Sequence, residues 1–186
     1  MRKIWLIAGV AAAALVIGYA AYQAGQGVGR EKFSGQADKS NPRKWLSRRP
    51  GFSIEFPSDW GEIRNAGSGA EFSCSSRSGA TAKVFVHQLA KGETADSVEN
   101  VVVGRYKAIY GRVRVLERKD FERNGARYRV FVLKGTDTEH PDEVHSEAMA
   151  IYKKICLLIA FTCPTEKYEL LKKDFEKISD SVVFSK

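Results

Sequence analysis

The chain has 186 residues, 44% of them hydrophobic, and a formal net charge of +8. This is the length of one domain with an appendage, and the composition is ordinary for a globular protein. The charge is uneven: residues 51–186 hold 21 basic against 20 acidic residues, so the excess lies in the first fifty. A nearly neutral domain with no recognition-helix or stacking motif excludes nucleic acid as an expected partner.

Met1-Arg2-Lys3 is a short positive head, and Ile4 to Tyr22 carries no charge over nineteen residues. A run of that length can cross a bilayer as a helix. Trp5, Tyr19 and Tyr22 stand near its ends, as interfacial aromatics do. The reading is a transmembrane anchor over 1–24. A cleaved signal peptide is the alternative, with Gly18-Tyr19-Ala20 as a weak small-x-small site. No cysteine lies near the end of the run, which excludes lipoprotein attachment. A three-residue head is the usual inside end of a signal-anchor. This predicts a single-pass inner-membrane protein with residues 51–186 in the periplasm.

Residues 25–50 read as a glycine-containing basic linker. Seven basic residues fall between 30 and 49, and Arg43, Lys44, Arg48 and Arg49 are expected to face anionic lipid. The fold is then expected to occupy 51–186.

"FSIEF" alternates as a half-buried strand over 52–56, and Pro57-Ser58-Asp59 ends it. Strands follow at about 70–75 and 83–88. Thr94 or Asp96 is the N-cap of a first helix, with Glu99 completing a capping box on Asp96. Val98, Val101, Val102 and Ile109 give that helix an apolar face, and Gly111 stops it. Asn124-Gly125 between two strand-like runs marks a hairpin over 112–134. A polar loop leads to a strand at 144–152, and Lys153-Lys154 turns it into "ICLLIAFTC", 155–163. That run is apolar on both faces, as a central covered strand is. A second helix follows Pro164, capped by Thr165, with Tyr168, Leu171, Phe175 and Ile178 on one stripe, and "SVVF" closes the chain as a short strand.

The opening "GFSIEFPSDW" resembles the start of PsbP/Mog-like domains, where a Phe-rich strand precedes Pro and Trp. The ending resembles the same family's last helix, with Phe175, Ile178, Ser181 and Val182 in its closing pattern. The resemblance covers 51–186 and is sharp only at the two ends. It implies an α+β fold, an antiparallel sheet flanked by helices. It also implies a largely non-catalytic role: family members include accessory subunits of photosynthetic complexes, GTPase-binding factors and bacterial envelope proteins of the DcrB-like group. A membrane anchor in place of a lipid-modified cysteine departs from the lipoprotein members.

Three cysteines allow one disulfide at most, and Cys74–Cys163 is the candidate pair; buried thiols at Cys74, Cys156 and Cys163 are the alternative. "EHPDEVHSE" gathers Glu139, His140, Asp142, Glu143, His145 and Glu147. With His87 from another strand, His140 and His145 are candidate metal ligands. The family's links to metal binding lend the idea weight, but the spacing fits no metal motif, and a solvated acidic loop is the alternative. In the hairpin, alternation puts Arg127 and Arg129 on one face and Arg114 and Arg118 on one face. Together with Arg112 they form a basic stripe, which is either a docking surface for an acidic partner or a solvated face. No Gly-x-Ser-x-Gly, phosphate loop, His-Glu-x-x-His or Cys-x-x-Cys occurs, so no enzyme and no cofactor is expected. The expected function is a membrane-anchored accessory or assembly subunit of a membrane protein complex. The alternative is a free-standing envelope module for a small ligand or metal ion.

Overall fold

The computed structural model describes residues 34–64, 70–135 and 143–185. The proposed anchor lies outside these residues. Among the described residues, no helix is long and apolar enough to cross a membrane.

Among these residues ten strands form two antiparallel sheets. The smaller sheet has the order β1-β2-β3-β10, from Ser34–Ala37, Lys44–Arg49, Gly51–Glu55 and Val183–Phe184. The larger has the order β4-β5-β9-β8-β7-β6. Its strands are Phe72–Ser75 (β4), Thr81–Gln88 (β5), Val113–Arg123 (β6), Ala126–Gly135 (β7), Glu143–Tyr152 (β8) and Ile155–Pro164 (β9). Among the described residues two helices complete the fold, α1 (Ala95–Tyr110) and α2 (Tyr168–Asp180).

Apart from its β6 edge, the large sheet is covered on both faces. One face packs under α1, with Val98, Val102, Tyr106 and Tyr110 meeting Phe85, Phe131, Leu133, Met149 and Leu158. The other carries α2 and the small sheet, whose inward residues Trp45, Phe52 and Ile54 share a core with Tyr168, Leu171, Phe175 and Ile178. β9, third in the order, is covered on both sides, as its unbroken apolar run predicts. The hairpin turns at Asn124 (φ 51°) and Gly125 (φ 75°), both left-handed as a type I′ turn requires.

Three expectations change. The first concerns the linker: residues 44–49 are not a tether but strand β2, and β1 precedes it. Trp45 is only 6% exposed and stacks on Phe72 at 4.4 Å between ring centroids. The fold therefore begins well before residue 51. The basic residues conceal the strand, because Lys44 and Arg48 sit on the outward side while Trp45 and Ser47 pair inward with Ile54 and Phe52. Arg43 lies in the turn before β2, where its carbonyl accepts the Phe56 N–H. Arg49 is the last residue of β2.

The second is the capping of both helices. Thr94, not Asp96, caps α1 with Ser97 as its box partner, so the box of Asp96 and Glu99 does not form. Thr165 starts a single 3-10 turn through Lys167 instead of capping α2, which has no side-chain cap. The third is the candidate disulfide, in place of which the reading of buried thiols holds. All three cysteines are free and buried. β5 lies between the strands of Cys74 and Cys163, so two strand spacings, about 9.5 Å, separate them, more than a disulfide can span.

Candidate functional site

The hairpin does not carry one basic stripe. A β-bulge at Leu116 shifts the β6–β7 register between Val115 and Glu117. A bulge adds one residue to one strand, so alternation read straight through it assigns the wrong face. Arg114 pairs with Lys134, on the α2 side. Arg118 pairs with Phe131, on the α1 side, so the two arginines point to opposite faces.

On the α1 side the arginines are committed to the helix. Arg129 grips Asp120 with two bonds of 2.8 Å, reaches Glu99 at 3.0 Å and also pairs with Asp96. Arg118 reaches Asp96 at 2.8 Å and Glu99 at 3.2 Å. Asp96 and Glu99, expected to serve as helix caps, instead bolt the first turns of α1 to the sheet. The paired guanidinium holds the carboxyls of Asp96 and Asp120 below their usual range, and these acids raise Arg129. Arg127 is exposed beside Glu122 at the hairpin end, and Arg112 is exposed at the start of the hairpin.

On the α2 side the sheet is left open. α2 packs over β8, β9 and β3 and leaves a groove of about 460 Å³ between itself and the hairpin. Phe121, Val130, Val132, Tyr168 and Phe175 make its apolar walls. The odd residues of β6 after the bulge, Glu117, Lys119, Phe121 and Arg123, project into it. Two ion pairs bridge the groove from hairpin to helix: Lys172 Nζ donates to Glu117 at 2.9 Å, and Arg123 pairs with Asp180. Both pairs are solvent-facing and worth little in stability.

A third feature is buried. Glu147, 1% exposed at the middle of β8, accepts the Tyr106 hydroxyl on Oε1, while its Oε2 has no hydrogen-bond partner. Desolvation pushes its carboxyl up to about 8. Two residues away, His145 Nδ1 lies 3.1 Å from Thr162 Oγ1 and its Nε2 has no hydrogen bond; burial holds the imidazole down at about 3. Glu143, His145 and Glu147 are thus strand residues, the latter two inside the protein, and not an acidic loop.

The candidate metal ligands are not brought together. His87 pairs across the sheet with Cys156, which pairs with Ile151, six residues along β8 from His145. At about 3.3 Å per residue the two imidazoles stand about 20 Å apart. His87 instead bonds Glu93 at 2.9 Å. His140 lies outside the described residues. Among the described residues no three His, Cys, Asp or Glu side chains converge as a metal site.

Sequence reasoning missed the groove residues Lys172 and Glu117. Their signal is faint: Lys172 is four residues past Tyr168, on the shoulder of the apolar stripe. Glu147 had a clearer signal, since a carboxylate among the inward positions of a strand stands out once the period is counted.

The elements define an α+β sandwich: a six-stranded antiparallel sheet with one helix on each face and a small sheet beside the second helix. No protein-family model and no curated protein matches the chain. Solved structures do. The solution structure of cyanobacterial PsbP (CyanoP) from Synechocystis sp. PCC 6803 aligns over 86% of this chain and 96% of its own, at TM-score 0.55 and 11% identity. LpqN of Mycobacterium tuberculosis, described as involved in cell envelope biogenesis, aligns over 84% and 93% at TM-score 0.60 and 7% identity. The Saccharomyces cerevisiae Ran-binding protein Mog1p aligns over 82% and 95% at TM-score 0.54 and 7% identity. The chain has a PsbP/Mog-like fold. An aligned share of 86% is more than residues 51–186 could supply, in keeping with a domain that begins before them.

Proposed function

We propose that this protein is a non-catalytic accessory subunit of a membrane protein complex, held to the membrane by residues 4–22, and that it docks its partner through the groove between α2 and the β6–β7 hairpin. The observation that carries the reading is the groove itself, with apolar walls, a rim charged with both signs and two solvent-facing ion pairs across it. Anchoring aromatics inside a polar rim is how protein interfaces are built. A fold shared by a Ran-binding protein and a cell-envelope protein carries no fixed chemistry, so the reading rests on the site.

The test is a photo-crosslinking residue at Lys119, on the groove, and another at Lys107, on the outer surface of α1, in cells making the full chain. The expected result is a discrete crosslinked partner at position 119 that is absent at 107 and reduced at least about fivefold by Lys172→Glu, which sets two carboxylates across the groove. Equal labelling at both positions would overturn the reading. One quantity favours the alternative of a small-ligand module: about 460 Å³ is within the range of small-molecule sites. That reading predicts a monomer whose Tm rises with ligand.

A further inference from the structure

The outer face of the small sheet has no protein covering it among the described residues. Leu46 on β2 pairs with Ser53 on β3, and Ser53 with Val183 on β10, so the three form one outward cross-strand row. Leu46 is 37% exposed and Val183 50%. On the same face Lys44 and Arg48 lie either side of Leu46, two residues away in each direction, with Glu55, opposite Lys44, accepting from Asn41 at 2.9 Å. Apolar side chains between cations are the composition of a surface that rests on lipid headgroups.

Chain length supplies the second argument. Eleven residues separate Tyr22, the end of the uncharged run, from Ser34, the start of β1. Whatever their conformation they reach at most about 40 Å, and a flexible segment of that length averages about 20 Å. The strand that receives this tether, β1, is the edge partner of β2. An anchor at residues 4–22 therefore holds this sheet, of all parts of the fold, beside the bilayer.

We propose that the outer face of the four-stranded sheet, centred on Leu46 and Val183 and flanked by Lys44 and Arg48, lies on an anionic membrane surface and fixes the orientation of the domain. This inference rests on the anchor reading above. It adds an orientation to the docking groove, because the groove ends at Asp180, three residues before Val183. The groove then opens beside the lipid, within reach of the membrane-proximal part of a partner.

The experiment uses the full chain in vesicles of phosphatidylcholine with 30% phosphatidylglycerol. The three native cysteines are buried, so an environment-sensitive fluorophore can be placed on Leu46→Cys, Val183→Cys or Lys107→Cys, the last on the far side of the large sheet. Lipid carrying a headgroup nitroxide is the quencher. The expected result is quenching at 46 and 183 at least about threefold greater than at 107, falling toward the 107 level when phosphatidylglycerol is omitted or in Lys44→Glu/Arg48→Glu. A chain that co-floats with vesicles but is quenched equally at all three sites overturns the orientation and leaves the anchor standing. A chain that does not co-float overturns both.

Discussion

Replacing Glu147 by Gln tests the energetics of the buried cluster directly. Glu147 is enclosed between the large sheet and α1, with Phe131 and Ala160 as its cross-strand neighbours, Tyr106 as donor and one oxygen without a partner. Arg105 favours the charged form, but desolvation outweighs it, and the carboxyl rises from 4.5 to about 8. Between those pH values the folded state holds a proton that the unfolded state has released. The contribution of Glu147 is therefore complete below about pH 4.5, declines as pH rises and is lost above about pH 8. That rise of the carboxyl corresponds to several kcal/mol across the window. Gln keeps the shape and the acceptor for Tyr106 but does not titrate. Urea unfolding at pH 4.5, 6, 7 and 8.5 gives the difference in stability between variant and parent, in which the other titrating groups cancel. That difference should move in favour of the Glu147→Gln variant by several kcal/mol from the lowest pH to the highest. A difference that stays flat with pH would refute the argument that the carboxylate is buried without compensation.

His145 acts in the opposite direction. Its imidazole is held down at about 3, so its contribution is present above pH 6.5 and lost as pH falls; His145→Gln should flatten the acid limb of stability measured by thermal melts. Trp45→Ala should cost about 3–5 kcal/mol in urea unfolding, whereas a Trp on a free tether would give no change. Arg129→Met leaves Glu99 and Asp120 without their main cation and should lower Tm by at least about 5 °C, with much of the loss recovered in Arg129→Met/Glu99→Gln. Burial raises all three thiols, Cys74 and Cys163 to about 11 and Cys156 to about 12. None should react with a disulfide reagent at pH 8 until denaturant is added, when all three should.

The elements that were legible in the sequence are those whose signal is local. Asn124-Gly125 fixes its turn by backbone preference, and the stripe Tyr168, Leu171, Phe175, Ile178 shows directly which face of α2 is buried. β9 is readable because a strand covered on both faces has no polar side. β2 was not legible. Its inward set is one Trp and one Ser, and its outward set is mostly basic, so composition points to a solvated linker while a single buried ring decides the fold. Nor was the groove, because it is a gap between α2 and a hairpin some fifty residues earlier, and no local pattern encodes a gap.

The bulge at Leu116 shows how one extra residue divides the hairpin's work. With regular alternation through Leu116, Arg114 would join Arg118, Arg127 and Arg129 on one side of the sheet. With the bulge, residues from 117 onward change sides relative to those before it. Arg118 thereby joins Arg129 against Asp96 and Glu99, fastening α1, while Glu117, Lys119, Phe121 and Arg123 turn toward α2 and shape the groove. The bulge also breaks the regularity of β6, the exposed edge of the large sheet, and charged residues follow it directly. Both features discourage another strand from pairing with that edge. Deleting Leu116 from the full chain should show this in one comparison with the parent. Val115 then stays opposite Leu133 and Glu117 opposite Val132, so every side chain keeps its face while the strand becomes regular and its edge free to pair. The deletion should convert a well-behaved chain into one that self-associates by sedimentation while the α1 ion pairs stay in place. Unchanged sedimentation would mean that the charges alone protect the edge.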